Sequence, residues 1–320
     1  MQTRKLGWTD LELSTVGLGA WAIGGSSGRF GWGPQEDDDS IATIHRATEL
    51  GVSWLDTAAV YGLGHSEEVV GRALKGLHQK PIIATKCSRR WGEDGVPYGN
   101  LKPESLREEC ETSLRHLGVE CIDLYQMHWP QPDAQIEQGW STMADLVKEG
   151  KVRYIGVCNF NVTQLKRIQP IHPVASLQPP YSMLVRGVES ELLPYCAANH
   201  IGVVAYSPMQ KGLLTGAVTR ERVAAMPPSD HRSRDSMFHE PQLSANLELV
   251  DGLRPIAERN GRTLAQLAIA WVLRRPEVTA AIVGSRRPAQ IEETVAAGDW
   301  NLTPDDIQAI DALLVQRSKV

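Results

Sequence analysis

The chain has 320 residues, of which 42% are hydrophobic and 22% charged, which is the balance of a water-soluble globular protein. Its net charge of -5 and its isoelectric point near 6.0 argue against nucleic acid or an anionic membrane as a partner. We find no basic apolar leader, no apolar run near the ~20 residues that span a bilayer, and no CxxC spacing among the five cysteines. We therefore expect a cytoplasmic protein with free thiols and no metal site.

The amino-terminal segment predicts a small hairpin followed by a first strand. Polar and apolar residues alternate over residues 3–14. Gly17, Gly19 and Ala22 then match the G-x-G-x-x-A fingerprint of dinucleotide-binding folds, which requires a helix that opens on the glycines. The residues up to Pro34 are instead rich in glycine and serine, so we interpret them as a loop that passes close to a ligand.

Strands and helices alternate regularly from residue 37 onward. Acidic first turns, prolines at first helical positions and glycine stops mark the ends of the helices. The predicted strands cover residues 15–20, 52–55, 81–85, 122–127, 152–157, 174–177, 201–205 and 278–283. The predicted helices cover residues 37–50, 66–75, 103–117, 135–149, 162–168, 189–199, 247–259, 263–274 and 288–297, and a last helix begins at the cap Thr303. This pattern predicts an α/β fold, a (β/α)8 TIM barrel with an amino-terminal hairpin and extra carboxy-terminal helices, as one domain over residues 1–320.

The segment from about residue 207 to 246 interrupts this alternation. It is rich in proline, glycine, serine and mixed charges. Loops of this length are usually functional lids or disordered segments, and the sequence leaves both possibilities open.

Polar side chains follow the predicted barrel strands, at the end where barrel active sites lie. In chain order they are Asp56, Lys86, His128, Asn159, Gln178, Tyr206 and the loop 284–287, with Tyr61 on the loop after the first of them. A carboxylate at the end of a buried strand needs a cationic partner, and Lys86 ends the next strand. Each of these residues alone could have a purely structural role. A functional site is the better interpretation, because a structural role would have to be assumed separately at every strand end. The set can donate a proton to a carbonyl oxygen, so we predict a carbonyl reductase.

Several motifs together carry a family resemblance. They are Asp-Thr-Ala-x-x-Tyr-Gly62, the strand-end Lys86, Tyr-Gln-Met-His-Trp129, Gly-Val-Cys-Asn-Phe160, Leu-Gln-Pro-Pro-Tyr181, Ala-Tyr-Ser-Pro208 and Val-Gly-Ser-Arg-Arg-Pro-Ala-Gln-Ile-Glu-Glu293. In this order they resemble the aldo-keto reductase superfamily over the whole chain. Within it the chain is most similar to the bacterial general-reductase and aryl-alcohol-dehydrogenase-like branch, which is related to potassium-channel β subunits.

The resemblance implies an NADPH-dependent oxidoreductase that reduces aldehydes and ketones by hydride transfer from nicotinamide C4. Tyr61 would be the general acid. Lys86 would lower the pKa of that phenol, and Asp56 would hold and compensate Lys86. His128 would hydrogen-bond the substrate oxygen and position the carbonyl.

The resemblance also implies where the nicotinamide would lie. Asn159 and Gln178 would bind its carboxamide, and Tyr206 would stack on its ring. Cys158 stands where relatives usually have a serine, and because a thiol is a weaker hydrogen-bond partner this one contact is the least secure of the set.

The remaining cofactor residues would follow the phosphates and the adenosine. Ser207 and the loop 209–214 would lie along the pyrophosphate, and Ser285 and Arg286 would bind a 2′-phosphate, which favours NADPH over NADH. The full set of implied cofactor residues is Trp21, Cys158, Asn159, Gln178, Tyr206, Ser207, Pro208, Met209, Gly212, Leu213, Leu214, Gly284, Ser285, Arg286, Gln290, Glu293 and Thr294, of which the last three would face the adenosine.

The expected substrate is a small aldehyde, ketone or sugar. Three tryptophans that follow predicted strands could line an apolar pocket beside the catalytic residues, so the predicted substrate contacts are Trp21, Tyr61, Trp91, His128 and Trp129. Aromatic walls favour broad specificity. The sequence leaves a monomer and a homo-oligomer equally open.

Two other classes of function stay open at this point. One is a regulatory, channel-subunit-like protein that binds the nucleotide and turns over slowly. The other is a Schiff-base aldolase on the same barrel with Lys86 as nucleophile, which Asp56 disfavours because it would keep the lysine protonated.

Overall fold

The structure is a computed structural model that describes residues 1–25 and 31–317. Residues 26–30, which belong to the predicted glycine-rich loop, lie outside the described residues. Within the described ranges, no helix is long and apolar enough to cross a membrane.

Eight parallel strands close into a barrel. The strands of the described chain are β1 (Thr3–Lys5), β2 (Glu12–Ser14), β3 (Val16–Gly19), β4 (Trp54–Asp56), β5 (Ile82–Cys87), β6 (Arg89–Trp91), β7 (Pro97–Gly99), β8 (Ile122–Met127), β9 (Val152–Cys158), β10 (Ser176–Gln178), β11 (Gly202–Ala205) and β12 (Ala280–Gly284). The barrel order is β3-β4-β5-β8-β9-β10-β11-β12, and β12 pairs with β3 to close it. The strands β1 and β2 form the predicted antiparallel hairpin, so the predicted barrel with its amino-terminal hairpin is confirmed.

Helices pack around this barrel, and most begin or end at the predicted signals. They are α1 (Asp37–Glu49), α2 (His65–Lys75), α3 (Pro103–Leu117), α4 (Ile136–Lys148), α5 (Val162–Ile168), α6 (Leu192–Ala198), α7 (Arg220–Ala224), α8 (Gln242–Arg259), α9 (Leu264–Leu273), α10 (Pro288–Val295) and α11 (Pro304–Arg317). Capping boxes open two of them, at Asn161 and Thr263. A left-handed glycine, Gly118 at φ 64°, ends α3.

The amino-terminal end of the barrel interior is filled by apolar side chains. Leu6, Leu11 and Leu13 of the hairpin segment are at most 2% exposed and pack against the barrel-lining Trp54. The indole of Trp54 has room only because Gly17 faces it, since a Cβ there would lie 2.1 Å from the ring. The glycine of the false dinucleotide fingerprint therefore serves the packing of the barrel interior.

The opposite end of the same interior is polar. Side chains alternate along a strand, so the residue two positions beyond an apolar interior residue faces the interior again. Trp54 is followed in this way by Asp56, and Ala84 by Lys86. In the barrel register Lys86 lies beside Gln126 of β8. The barrel thus carries one polar layer at its carboxyl end.

Two regions differ from the sequence prediction. The segment that follows β11 is folded, with 3-10 turns and the short α7 packed around an apolar cluster that includes Leu213, Val218 and Phe238. Its last residues belong to α8, which begins at Gln242 rather than near 247. A second hairpin, β6–β7, was not predicted because its strands are only three residues long.

Candidate active site

Two neighbouring strand ends place an ion pair at the mouth of the barrel. Lys86 Nζ lies 2.5 Å from Asp56 Oδ2, and both side chains are almost fully buried. The same ammonium donates to the Thr57 carbonyl at 2.8 Å and to the Tyr61 hydroxyl at 3.2 Å. Three of the four predicted catalytic residues are therefore in one hydrogen-bonded group.

The geometry of Lys86 fixes the direction of the hydrogen bond to Tyr61. An ammonium has three N–H donors and no acceptor, and all three are used by the contacts just given. Burial alone would lower the pKa of Lys86, but Asp56 and the other groups around it outweigh burial, so the pKa is raised and the ammonium form is favoured. The Tyr61 oxygen must accept from Lys86, which leaves its own O–H free to donate elsewhere.

The predicted effect of Lys86 on Tyr61 is only one of several influences. Burial raises the pKa of Tyr61 to about 12, because the attraction of Lys86 lowers it less than burial and the negative charge of Asp56 raise it. The phenol is therefore protonated at neutral pH. Lys86 acts in the predicted direction, but in this structure it does not make the phenol more acidic than an ordinary tyrosine.

His128 lies beside Tyr61, with the ring centroids 5.7 Å apart and the rings nearly perpendicular. Burial, followed by the positive charges of Lys86 and Arg89, holds the pKa of His128 well below its usual range. A neutral imidazole has one N–H donor and one acceptor. His128 can therefore hydrogen-bond a carbonyl oxygen without bringing a second positive charge beside Lys86.

The loop that carries Tyr61 is held by close backbone packing and a buried hydroxyl. Gly62 has a φ of 63°, and a Cβ added at Gly24 would lie 2.6 Å from the Gly62 nitrogen, so the two chain segments touch. Behind them, Ser66 Oγ donates to the Ala20 carbonyl at 2.9 Å. These contacts fix the tyrosine relative to β3 as well as to β4.

The strand ends and the loops after them surround a cavity of about 1440 Å³. This volume exceeds the roughly 300–1,000 Å³ of a typical small-molecule pocket, so it has room for more than one small substrate. The predicted site residues that line it are Trp21, Asp56, Tyr61, His128, Trp129, Asn159, Gln178, Tyr206, Ser207, Pro208, Met209, Gly212, Gly284, Arg286, Gln290, Glu293 and Thr294. Those that do not line it are Lys86, which lies directly behind Tyr61, and Trp91, Cys158, Leu213, Leu214 and Ser285.

The two amides predicted to bind a carboxamide already have partners within the protein. Gln178 Nε2 donates to Asp56 Oδ1 at 2.9 Å. Asn159 Nδ2 donates to the His128 carbonyl at 3.1 Å, and its Oδ1 accepts from the Tyr206 hydroxyl at 3.0 Å. Asn159 has a φ of 62°, an uncommon conformation for a residue with a side chain. Both amides are therefore held in place by protein partners, and both residues line the cavity.

The loop after β11 turns sharply along the cavity. Three residues with side chains, Ser207, Gln210 and Lys211, have φ values between 46° and 56°. Backbone in this region is strained and concentrates at functional sites. Lys211 is tied to Asp235 at 2.6 Å, so the folded segment after β11 supports the turn.

The predicted binding site for a 2′-phosphate differs from expectation in the contacts of Arg286. The Arg286 guanidinium donates to Gln35 Oε1 at 2.7 Å, to the Trp32 carbonyl at 3.2 Å and to the Pro34 carbonyl. Burial lowers its pKa, with Arg287 and Arg232 also close. The guanidinium is therefore engaged by the loop before α1, although the residue still lines the cavity.

A buried hydroxyl at the same end has no partner. Ser285 is 1% exposed, and its Oγ makes no hydrogen bond with the described residues. The neighbouring Gly284 has open space where a Cβ would be, and Arg287 also lines the cavity there. An unpartnered hydroxyl, an open backbone and arginines suit a phosphate or a sugar hydroxyl. The residues present therefore fit a nucleotide.

The family model for the aldo/keto reductase family matches residues 15–315. The chain belongs to the aldo-keto reductase family. It is 36% identical over 317 residues to aldo-keto reductase YhdN of Bacillus subtilis (strain 168), covering 98% of this chain and 94% of that protein. It is 36% identical over 320 residues to the NADH-specific methylglyoxal reductase of Escherichia coli (strain K12), covering 96% of each.

A solved structure agrees with this membership. The glycerol dehydrogenase AKR11B4 from Gluconobacter oxydans superposes with a TM-score of 0.90 at 37% identity, over 98% of this chain and 95% of that one. The oxidoreductase class and the TIM barrel predicted from the sequence are thereby confirmed, and so is the use of a nicotinamide cofactor, which is a property of the family.

In this aldo-keto reductase, one residue of the polar layer was missed by the sequence prediction. Gln126 is fully buried, and its Nε2 lies 3.4 Å from Asp56 Oδ1. Its Oε1 lies 3.4 Å from Gln178 Nε2 and from Ser176 Oγ. A signal was present, because Gln126 stands two residues before His128 and so faces the same side of the strand.

The cavity wall beside Tyr61 is aromatic, but only some of the residues predicted to line a substrate pocket are part of it. Trp21 stacks on Tyr61 with ring centroids 6.1 Å apart, and Trp129 is 37% exposed at the rim. Trp91 lies on the β6–β7 hairpin, away from the cavity lining. Two residues not predicted, Trp32 and His231, line the cavity instead. No local pattern marks them, since they meet across about two hundred residues of chain.

Proposed function

We propose that this aldo-keto reductase reduces aldehydes and ketones to alcohols with NADPH, and that Tyr61 is the general acid. One observation carries the proposal. The Tyr61 oxygen accepts a hydrogen bond from the buried ammonium of Lys86 at 3.2 Å, while the residue lines the cavity. Its own proton is therefore available to a carbonyl oxygen, and the ammonium stabilises the phenolate that proton donation leaves behind.

Asp56 and His128 would have supporting roles. Asp56 keeps Lys86 charged, since the buried ammonium would be destabilised without a carboxylate beside it. His128, neutral and close to Tyr61, would donate a second hydrogen bond to the same carbonyl oxygen. Tyr61 and His128 would hold the substrate oxygen between two donors, which polarises the carbonyl carbon.

The cofactor would occupy the part of the cavity lined by the ends of β9 to β12. When bound, the nicotinamide supplies the hydride. We propose Asn159 and Gln178 for its carboxamide, Tyr206 for its ring, and the backbone from Ser207 to Leu214 for the pyrophosphate. Leu213 and Leu214 are buried in the apolar core, so they would act through their backbone.

The preference for NADPH is proposed from the arginines at the adenosine end of the cavity. Arg286 and Arg287 line it, and an arginine binds phosphate through paired donors. Arg286 would have to share its guanidinium with the loop it now contacts. The relative from Escherichia coli is named NADH-specific, so this choice needs its own measurement.

The substrate is proposed as a small aldehyde, ketone or sugar, bound beside Trp21 and Trp129. Two relatives are named for methylglyoxal reduction and for glycerol dehydrogenation. We also propose that residues 1–320 act as one domain. Support comes from the hairpin side chains in the barrel interior and from the packing of α11 against α8.

Replacement of Tyr61 tests the reductase function. Tyr61→Phe keeps the ring and removes the proton, so kcat for aldehyde reduction should fall by about 10²–10⁴-fold. Binding of the cofactor, followed by fluorescence titration, should change little.

The matched control is Tyr154→Phe, which removes a hydroxyl that contacts Asp10 away from the cavity and should leave kcat unchanged. Unchanged carbonyl-dependent oxidation of NADPH in Tyr61→Phe would end the reductase proposal. Nucleotide binding without turnover in the wild type would support the regulatory alternative. The aldolase alternative is disfavoured, because Lys86 is 1% exposed and all three of its protons are hydrogen-bonded.

The cofactor preference is tested by the ratio of kcat/KM for NADPH to that for NADH. We expect the ratio to exceed one in the wild type. In Arg286→Ala it should fall about tenfold or more, because the variant loses one charge-assisted hydrogen bond to the phosphate. Loosening of the loop before α1 should affect both cofactors alike and cancel in the ratio. Arg115→Ala, on the outer helix α3, is the control. A wild-type ratio of one or less would remove the role proposed for Arg286.

A further inference from the structure

One arginine of the cavity wall lies apart from the others. Arg89 is the first residue of β6, and it lines the cavity together with His128 and Trp129, which follow β8. The other arginines that line the cavity within the described ranges, and Lys211, follow β11 or β12. In the barrel order β5 and β8 lie opposite β11 and β12. The positive charge of Arg89 is therefore on the side of the cavity that the proposed cofactor position leaves to the substrate.

Two hydrogen bonds hold the Arg89 guanidinium at this wall. Its Nη1 donates to Gln131 Oε1 at 3.1 Å, and its Nη2 donates to the Pro97 carbonyl at 3.3 Å. Gln131 and Pro97 both line the cavity, so the guanidinium is held between two residues of the cavity wall. Its positive charge is also close enough to His128 to lower the pKa of that imidazole. The charge therefore acts on the residue proposed to bind the substrate oxygen.

The Arg89 guanidinium has unused donors and no counterion. A guanidinium carries five N–H groups, and the two hydrogen bonds just given are its only ones with the described residues. It forms no ion pair with those residues, and burial alone shifts its pKa, which it lowers. The residue is nevertheless partly exposed, so a ligand can reach it. A cation that has lost part of its hydration without gaining a counterion is destabilised, and a negatively charged ligand would remove that penalty.

The next residue along the strand shows the contrasting arrangement. Arg90 pairs with Glu108 of the outer helix α3 at 3.3 Å, and it does not line the cavity. Successive side chains of a strand point to opposite faces, which places these two arginines on opposite sides of β6. The arginine on the outer side has a carboxylate partner in the protein, whereas the one on the cavity side has none.

We propose that Arg89 is a specificity-determining residue, which selects carbonyl substrates that carry a carboxylate remote from the reacting carbon. The planar guanidinium can offer two N–H groups to the two oxygens of a carboxylate. The carbonyl end would lie between Tyr61 and His128, and the acid end would lie against Arg89, all of which line the cavity. The substrate class is therefore aldehyde acids, in preference to neutral aldehydes of the same shape. This inference rests on the proposed function.

Pairs of substrates that differ only in charge test this selection. With the reduced cofactor, kcat/KM is measured for 3-carboxybenzaldehyde against 3-formylbenzamide and for 4-carboxybenzaldehyde against 4-formylbenzamide. A third pair, 4-oxobutanoate against its methyl ester, covers a flexible chain. A carboxylate withdraws less electron density from the ring than an amide, so intrinsic reactivity does not favour the aromatic acids. We expect a preference of about tenfold for the acid in at least one pair, because the acid gains a charge-assisted hydrogen bond.

Two variants assign this preference to Arg89. Arg89→Gln removes the charge, so the ratio of acid to neutral partner should fall about tenfold, while Arg89→Lys keeps the charge and should retain part of the preference. Loosening of the β6–β7 hairpin would affect both members of a pair alike and cancel in the ratio. The matched control is Arg90→Gln, which removes one positive charge from the next residue and should leave the ratio unchanged. A wild-type ratio of one or less in every pair, or a preference that survives Arg89→Gln, would overturn the proposal.

A binding measurement separates this proposal from the proposed function. Calorimetric titration of the Tyr61→Phe variant, saturated with oxidised cofactor, reports the affinity for each acid and its neutral partner without turnover. Tighter binding of the acid, lost on adding Arg89→Gln, supports the role of Arg89 even if the reductase role of Tyr61 fails. Equal affinity for acid and neutral partner in every pair overturns the role of Arg89 even if the reductase role stands.

Discussion

The two ends of the barrel interior are built from the same strands but hold opposite chemistry. At the amino end, Trp54 packs against Leu6 and Leu13, all at most 1% exposed. At the carboxyl end, two residues further along β4, Asp56 meets Lys86 at 2.5 Å. Both regions are buried, so burial does not distinguish them. The apolar end is stabilised by the area it removes from water, whereas the polar end is stable only while every group keeps its partner.

This contrast predicts different penalties for change. In the apolar end a substitution changes the volume of the packed side chains. Stability should therefore change, while the activity of each folded molecule should persist. In the polar end a substitution leaves a charge without a partner, and both stability and chemistry should change together.

The largest effect is expected at Lys86. Lys86→Met leaves Asp56 buried without its cation and removes the hydrogen bond to Tyr61. Unfolding free energy, measured with urea, should fall by about 3–5 kcal/mol, and kcat should fall by at least about 10²-fold.

The double variant Asp56→Asn with Lys86→Met removes both charges. It should regain most of the lost stability but none of the activity, because the buried pair is replaced by neutral groups. If the single variant proves as stable as the wild type, the carboxylate is not held by Lys86 alone. If the double variant is active, the ammonium is not required for chemistry.

Glu109 is a buried carboxyl that forms no ion pair with the described residues. It lies on α3 outside the barrel wall, 3% exposed, and accepts from Ser105 Oγ at 3.2 Å. Burial raises its pKa to about 7, although Arg90 and hydrogen bonds lower it in part. The folded protein therefore keeps a proton that the unfolded chain releases near pH 4.5. Stability should fall as pH rises from there to about 7, by at most about 3 kcal/mol.

Glu109→Gln should remove this loss. The variant should match the wild type at pH 5 and be more stable than the wild type at pH 8, measured by urea unfolding at both pH values. Glu108→Gln, at the exposed neighbour paired with Arg90, is the control and should show little difference. A wild type and Glu109→Gln with the same pH dependence would show that Glu109 is ionised without penalty.

The smallest effect is expected in the apolar end. Gly17→Ala adds a Cβ that would lie 2.1 Å from the Trp54 ring, so the indole must shift. Overpacking of this kind costs about 1–3 kcal/mol of stability. Thermal unfolding should report the loss, while kcat of the folded fraction stays within about twofold of the wild type. Gly187→Ala, where the added methyl meets open space, is the control. A large fall in kcat would mean that the two ends of the interior are coupled.

The sequence was most informative where the signal is local. The helix α3 was predicted with its bounds at residues 103 and 117, because Pro103 opens it and Gly118 takes the left-handed conformation that ends it. The caps Asn161 and Thr263 were equally readable. The position of Asp56 and Lys86 followed from a fold-level rule, since parallel barrel strands bring their carboxyl ends to one rim.

The sequence was least informative where partners are distant along the chain. Arg286 contacts the loop from Trp32 to Gln35, about 250 residues away. Nothing near Arg286 in sequence indicates that its guanidinium is engaged there rather than open to a phosphate. The segment after β11 was predicted only as a lid or a disordered loop, because its apolar residues have no helical or strand period.

The alternation of elements, the barrel and the residues at its rim could be predicted from the sequence alone, because they depend on periodicity, caps and strand ends that each segment carries. Which side chains meet became visible in the folded chain: the three acceptors of Lys86, the position of Gln126 between Asp56 and Gln178, and the ring contact of Trp32 with His231. The physical reason is that burial can be read from a local pattern, whereas the partner of a buried polar group depends on how distant segments pack.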